Sequence, residues 1–131
     1  MGIVFFLFQQ TMFFSIPLLI VALGGMFSER AGVVNIALEG IMVIGAYSSI
    51  FFINIMQKTG AMSGQPLLLT AILVAALAGG LYSLLHAYAA INMSANQVIS
   101  GTALNMFAPA FAIYTARMIQ GLQQVQFTNQ F

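Results

Sequence analysis

The segment Ser28–Gly40 reads SERAGVVNIALEG, and it carries three of the five charged residues in a chain of 131. Glu29 and Arg30 are adjacent, as expected for a polar turn between two apolar segments. Glu39 differs from them, because apolar sequence has already resumed before it. A carboxylate at the centre of a membrane helix costs about 3 kcal/mol, so it normally faces a partner or a polar cavity. The segment therefore marks a helix boundary and makes Glu39 a candidate functional residue.

The composition of the chain indicates that most of its surface lies in lipid. Hydrophobic residues make up 61% of the sequence, charged residues make up 4%, and the mean hydropathy is +1.01. Soluble domains carry roughly 25% charged residues. The net charge of +1 provides no basic surface for nucleic acid, and a chain without cysteine has no disulfides or zinc thiolates. Two carboxylates and one histidine leave few groups for acid–base chemistry, so neither an enzyme nor a bound cofactor is expected.

Four apolar stretches are long enough to cross a bilayer as helices, which requires about 20 residues each. We expect an all-α integral membrane protein with a single membrane domain and a polar tail at residues 119–131. The predicted spans are residues 1–27, 32–56, 66–90 and 98–118. The first span lacks a positively charged start and a small-residue cleavage motif, so it is interpreted as uncleaved. Ser94 and Gln97 have capping-box spacing, which predicts that the fourth helix starts at Ser94.

Asn35 and Glu39 are four residues apart, which places them on one face of the second predicted helix. With a helix start near Gly32, Glu39 lies about 10 Å along the helix. Three interpretations remain open for this carboxylate. It is interfacial and stabilised by the helix N-terminus, it ties the helix to another one, or it lines a substrate path. Asn35 and Arg30 are its candidate partners within the chain.

A polar stripe at the start of the fourth span consists of Gln97, Gly101, Asn105 and Pro109, which recur every four residues. The stripe faces a water-filled path or lies in the headgroup region, and the greater depth of Asn105 favours the path for that residue. His86, late in the third span, has no sequence neighbours that complete a metal site or a proton relay. It is interpreted as a structural histidine.

Small residues recur every four positions in the third span and form a candidate helix-packing seam: Ala71, Ala75, Gly79, Ser83 and Ala87. Small side chains let helix backbones approach closely in lipid, where van der Waals contact drives helix association. A simple abundance of alanine is the alternative explanation. One hypothesis for the function is therefore a small structural or regulatory membrane protein that associates through this seam.

Two segments resemble permease subunits of ABC importers for nucleosides and simple sugars, which belong to the ribose and branched-chain amino acid permease superfamily. They are GGMFSERAGVVNIALEGIMVIGAYSSIFF at Gly24–Phe52 and NQVISGTALNMFA at Asn96–Ala108. The resemblance covers roughly residues 17–110. The candidate residues that fall on its two motifs are Asn35, Glu39, Gly40, Gly101 and Asn105.

The resemblance implies a permease subunit of the bacterial plasma membrane that forms half of a translocation path and performs no chemistry of its own. It also implies four partners: a second permease subunit, cytoplasmic ATP-binding subunits, an extracytoplasmic substrate-binding protein and a small-molecule substrate. The chain has no Gly-x-x-x-x-Gly-Lys-Ser/Thr motif for phosphate, so ATP hydrolysis is expected in a separate subunit. Family members are usually more than twice as long and carry a later cytoplasmic coupling segment. We therefore expect the N-terminal part of a larger polytopic permease.

Overall fold

The computed structural model describes residues 2–121, which form four long α-helices. Their bounds are α1 (Gly2–Arg30), α2 (Leu38–Thr59), α3 (Gln65–Ile91) and α4 (Gln97–Gln120). All four are long and apolar enough to cross a membrane. Helices of 22 to 29 residues extend about 33 to 44 Å, against a hydrocarbon core of about 30 Å. The prediction of an all-α integral membrane fold with four spans is confirmed, and the polar tail beyond residue 121 lies outside the described residues.

Helix α2 lies at the centre of the arrangement, because it packs against both α3 and α4. Short connections make α2 antiparallel to α3 and α3 antiparallel to α4, so α2 and α4 run in the same direction. Ile44, Tyr82 and Ala108 form a buried cluster that joins the three helices. Helix α1 packs only against α2, and none of its described residues is buried.

Glycines allow the backbone of α2 to approach both neighbours closely. A Cβ atom on Gly45 would lie 3.1 Å from the carbonyl oxygen of Ala75 in α3. A Cβ atom on Gly40 would lie 2.9 Å from the carbonyl oxygen of Leu104 in α4. Close approach of this kind is how membrane helices gain van der Waals contact without a hydrophobic driving force.

Only some of the small residues predicted as a seam lie on the side of α3 that faces α2. Ala71 and Gly79 are buried, and Ala75 contacts α2 at Gly45. Ser83 and Ala87 are half-buried, and the Ser83 hydroxyl donates to the carbonyl oxygen of Gly80 in its own helix. A spacing of four residues advances about 40° beyond a full helical turn, so the buried stripe departs from that spacing. It continues through Tyr82 and His86 instead.

The expected start of the second helix near Gly32 is wrong, because Gly32 ends α1. Gly32 has φ of 85°, its N–H donates to the carbonyl oxygen of Glu29, and the N–H of Val33 donates to that of Ser28. These two bonds form a Schellman motif, which stops a helix at a left-handed glycine. The segment Val33–Ala37, called the linker below, is not helical, and α2 begins at Leu38.

The observed starts of α2 and α4 overturn two interpretations made from the sequence. Asn35 lies in the linker and Glu39 lies in the first turn of α2, so the two side chains do not share a helix face. Helix α4 is capped by Asn96, whose side-chain oxygen accepts from the N–H groups of Val98 and Ile99. The predicted start at Ser94 is wrong, because Ser94 has φ of 50°, outside the helical region.

The close approach of α2 to α4 predicts that Gly40→Ala destabilises the protein. The new methyl group would displace the Leu104 backbone or the Asn105 side chain, which lies 3.0 Å away. Overpacking of this kind costs about 1–3 kcal/mol. Unfolding by SDS titration, followed by circular dichroism in detergent, measures the loss.

Gly80→Ala is the matched control, because nothing lies within 4 Å of a Cβ atom at Gly80 in α3. Alanine there should leave stability unchanged or raise it by up to about 1 kcal/mol through helix propensity. Equal stability of the Gly40 and Gly80 variants would contradict the packing described for α2.

Candidate functional site

The linker lies along the first two turns of α4, where a glycine makes room for it. A Cβ atom on Gly101 would lie 3.0 Å from Cβ of Ile36 and 3.2 Å from the backbone nitrogen of Ala37. Val34 lies at the level of Gln97, and Gly40 lies at the level of Asn105. These eight residues of α4 correspond to about 12 Å along its axis. The chain therefore enters the helix bundle in a non-helical conformation before α2 begins.

Asn105 binds both sides of the helix start with its single amide group. Its Oδ1 accepts from the backbone N–H of Gly40 at 2.7 Å, and its Nδ2 donates to the carbonyl oxygen of Ile36 at 2.6 Å. The first bond satisfies an N–H in the opening turn of α2, which has no partner within the helix. The second satisfies a carbonyl of the linker. One side chain of α4 thus holds the end of the linker and the beginning of α2.

Gln97 and His86 hydrogen-bond to the backbone N–H and the backbone carbonyl of Val34. Gln97 Oε1 accepts from the Val34 N–H at 2.7 Å, and His86 Nε2 lies 3.3 Å from the Val34 carbonyl oxygen. Because a carbonyl oxygen only accepts, Nε2 must carry the proton. In the tautomer with its proton on Nε2, Nδ1 accepts from the Ser100 hydroxyl, which lies 3.2 Å away. His86 is 1% exposed, and it connects α3 with the linker and with α4.

Asn35 stabilises the linker from within. Its Oδ1 accepts from the N–H of Ala37 at 3.0 Å, which forms an Asx turn immediately before α2. Asn35, His86, Gln97 and Asn105 are called the linker clamp below. Together they pair five backbone groups of the linker and the α2 start. Unpaired backbone groups cost several kcal/mol each in a membrane, so non-helical backbone there must be held by protein or line a cavity.

The clamp brings together three of the four candidate polar residues, and it adds His86, which the sequence marked only as structural. Asn35, Gln97 and Asn105 all bind backbone groups of the linker or of the α2 start, whereas the Glu39 side chain is exposed. His86 had no recognisable partner in the sequence, because Val34 and Ser100 are 52 and 14 residues away. The sequence carries no signal for this role, and only the structure shows it.

Glu39 lies in the first turn of α2 with an exposed side chain. The pairings expected with Asn35 and Arg30 are not formed, since Asn35 turns to Ala37 and no ion pair joins Glu39 to Arg30 within residues 2–121. A negative charge in this position is favoured by the partial positive charge of the helix N-terminus. Its exposure leaves it free to meet a group outside this part of the chain.

An open apolar groove of about 530 Å³ lies between α1, α2 and α3. Its lining is dominated by small residues, among them Gly24, Gly45, Ala46, Ala75 and Gly79. It lies on the opposite side of α2 from Asn105, since Gly45 faces α3 whereas Gly40 faces α4. No group of three or more His, Asp or Glu side chains suited to a metal ion occurs in residues 2–121. The site thus offers packing surfaces and hydrogen bonds.

A family model described as the permease component of branched-chain amino acid transport systems matches residues 7–131. The chain is 43% identical over 117 residues to the nucleoside ABC transporter permease protein NupC of Lactococcus lactis subsp. cremoris. It is 47% identical over 116 residues to the guanosine ABC transporter permease protein NupQ of Bacillus subtilis. These alignments cover 89% and 87% of the chain and 36% and 35% of the relatives.

A third similar protein is the putative glucose ABC transporter permease protein TsgC13 of Haloferax volcanii. It is 33% identical over 97 residues, which are 74% of the chain and 27% of that protein. The chain therefore spans about a third of the length of the first two curated relatives. No solved structure matches it.

The double role of Asn105 predicts that Asn105→Leu loosens the start of α2. The variant leaves the Gly40 N–H and the Ile36 carbonyl oxygen without their partner, which costs about 1–3 kcal/mol. The Gly40 amide should then exchange with deuterium at least about tenfold faster, as local opening becomes easier. Hydrogen exchange with mass spectrometry in detergent measures the change.

Thr102→Val in the same helix is the control. The Thr102 hydroxyl is exposed and bonds only to the Val98 carbonyl oxygen of its own helix. Exchange at Gly40 should therefore match that of the unmodified chain. Faster exchange in this variant, or no change with Asn105→Leu, would argue against the clamp.

The bridge made by His86 predicts energetic coupling between His86 and Ser100. His86→Leu and Ser100→Ala should each weaken the packing of α3 on α4, because each removes one partner of the same bond. In a double-mutant cycle of SDS unfolding, the two effects should couple by about 0.6–2 kcal/mol, the range for hydrogen bonds between membrane helices. Additive effects of the two substitutions would exclude the bond.

Proposed function

Since this chain belongs to the family of permease components of branched-chain amino acid transport systems, we propose that it is part of the membrane permease of an ATP-driven importer. The chain would supply helices to one side of a translocation path in the bacterial plasma membrane. The substrate class that we propose is a nucleoside. The match of residues 7–131 to the family, together with identity above 40% to two nucleoside permeases, carries this proposal.

The substrate assignment is supported by the order of the similarities. The two relatives named as a nucleoside permease and a guanosine permease share 43% and 47% identity with the chain. The relative described as a putative glucose permease shares 33%. A nucleoside is larger and more aromatic than a simple sugar, so its path would combine apolar surface with a few polar groups.

The partners that we propose are a second permease subunit, cytoplasmic ATP-binding subunits and an extracytoplasmic substrate-binding protein. The sequence contains no phosphate-binding loop, so the energy of ATP would reach this chain through contacts with a separate subunit. The chain itself would carry out no covalent chemistry. A small structural membrane protein that associates through the α3 seam would not account for identity to permeases along most of the chain.

Within this function we propose a positioning role for the linker clamp. Asn105, Gln97 and His86 would hold the start of α2 at a fixed depth against α4. In transporters, helices that begin or break within the membrane often border the substrate path. In this proposal the clamp shapes the border of the path, and its side chains are occupied by the backbone of the chain.

Disruption of the gene in its native host should abolish high-affinity uptake of radiolabelled guanosine, while uptake of radiolabelled glucose should not change. Complementation with the complete native gene should restore guanosine uptake. Affinity purification of the restored protein should also recover an ATP-binding subunit.

Normal guanosine uptake together with lost glucose uptake would replace the nucleoside assignment with a sugar. Normal uptake of both compounds, without recovery of any ATP-binding subunit, would refute the importer proposal.

A further inference from the structure

The exposed residue Glu39 lies next to the residues of α2 that line the apolar groove. Leu38 and Met42 line the groove, and Glu39 lies between them in sequence at the N-terminal end of the same helix. Met42 is 44% exposed and one turn away from Glu39. The surface is thus a groove of small residues with a carboxylate at one end. This combination defines both the shape and the charge of what would cover it.

Within residues 2–121, Glu39 forms no ion pair with a cation of this chain. Lys58 lies in the last turn of α2, 19 residues further along, which is about 28 Å. Arg117 lies in the last turn of α4, which runs parallel to α2, so it is at the same distant end. Arg30 is near the correct end but is exposed and forms no ion pair within residues 2–121. Residues 122–131 contain no lysine or arginine.

Apolar residues follow Glu39 along the exposed side of α2. Its neighbour Gly40 is level with Asn105, about 12 Å along α4 from Gln97. The next exposed residues along α2 on this surface are Met42 and Ala46, which are apolar. The helix N-terminus compensates a carboxylate by only about 0.3–1 kcal/mol at an exposed site. The remaining cost in an apolar environment favours a cationic partner.

The groove is shaped for a helix. Glycine and alanine line it on α1, α2 and α3, and such surfaces let another backbone approach closely in lipid. An approaching helix would bring its side chains into a volume of about 530 Å³. A helix with one basic residue near its end would satisfy the groove and the carboxylate together.

We propose that this surface binds a transmembrane helix of another segment of the permease assembly, which places an arginine or lysine against Glu39. The inference rests on the proposed importer function for the identity of the assembly, and on charge and shape for the contact itself. Glu39 is then an assembly residue that acts through an ion pair between helices. It has no contact with the substrate in this arrangement.

The contact can be tested by photo-crosslinking in native membranes that contain the complete importer. p-Benzoylphenylalanine replaces Met42 within the groove, and in a second variant it replaces Leu73, which is 59% exposed on α3 and outside the groove. Mass spectrometry identifies the crosslinked peptide. The Met42 position should capture an apolar helix of the importer with a lysine or arginine within about one turn of the crosslink. The Leu73 position should capture lipid or a different peptide.

The charge is tested with Glu39→Gln and its matched control Glu29→Gln, which changes the other carboxylate of the chain. Glu39→Gln should reduce the Met42 crosslink by roughly tenfold or more, since removing one partner leaves a charge unpaired between helices. Glu29→Gln should leave the crosslink unchanged, and Glu39→Asp should retain most of it. Exchange of charges between Glu39 and the identified basic residue should restore the crosslink lost in either single variant.

Three outcomes would overturn the proposal: a crosslink to lipid alone, a captured helix without a basic residue, or a crosslink that Glu39→Gln does not change. Hydrogen exchange at Gly40 verifies that α2 is intact in each variant. An unchanged crosslink with lost guanosine uptake would refute the assembly contact and leave the importer function in place. A helix with a basic residue captured from a protein unrelated to importers would support the contact and refute the proposed function.

Discussion

The requirement that backbone polar groups be paired within a membrane governs this structure. Helices satisfy it for most of the chain, but the linker cannot, because it has no regular hydrogen bonds of its own. Asn105 pairs two of these backbone groups at the junction between the linker and α2. Gly101 and Gly40 keep the backbones close enough for that side chain to reach both groups. The remaining members of the clamp extend the same pairing toward Val34.

The four helices could be predicted from the sequence, whereas the start of α2 could not. Long apolar runs determine that helices exist, since few other structures bury so much apolar surface in lipid. The linker itself is mostly apolar, with Val33, Val34, Ile36 and Ala37, so hydropathy does not distinguish it from a helix. The only local signal was Gly32, whose left-handed conformation depends on a Schellman motif rather than on composition.

The sequence allowed the polar residues of the site to be predicted, but it did not allow their hydrogen-bond partners to be predicted. Asn35, Gln97 and Asn105 were recognisable because polar side chains are rare in these spans. Their partners are backbone groups, three of which lie more than 60 residues away in the sequence. Backbone partners leave no mark in amino-acid identity, so neither the clamp nor the contribution of His86 could be read from spacing. Glu39 was recognised for the same reason of rarity, yet its side chain is exposed and takes no part in the clamp.

The two bonds of Asn105 have a mechanical consequence for the helices that they join. An amide offers its oxygen and its nitrogen on fixed sides, and Gly40 and Ile36 present an N–H and a carbonyl in matching positions. A shift of α2 by one residue along α4 would set the amide against the wrong groups and break both bonds at once. Sliding of α2 along α4 would therefore break both hydrogen bonds together, which couples the positions of these two helices along their axes.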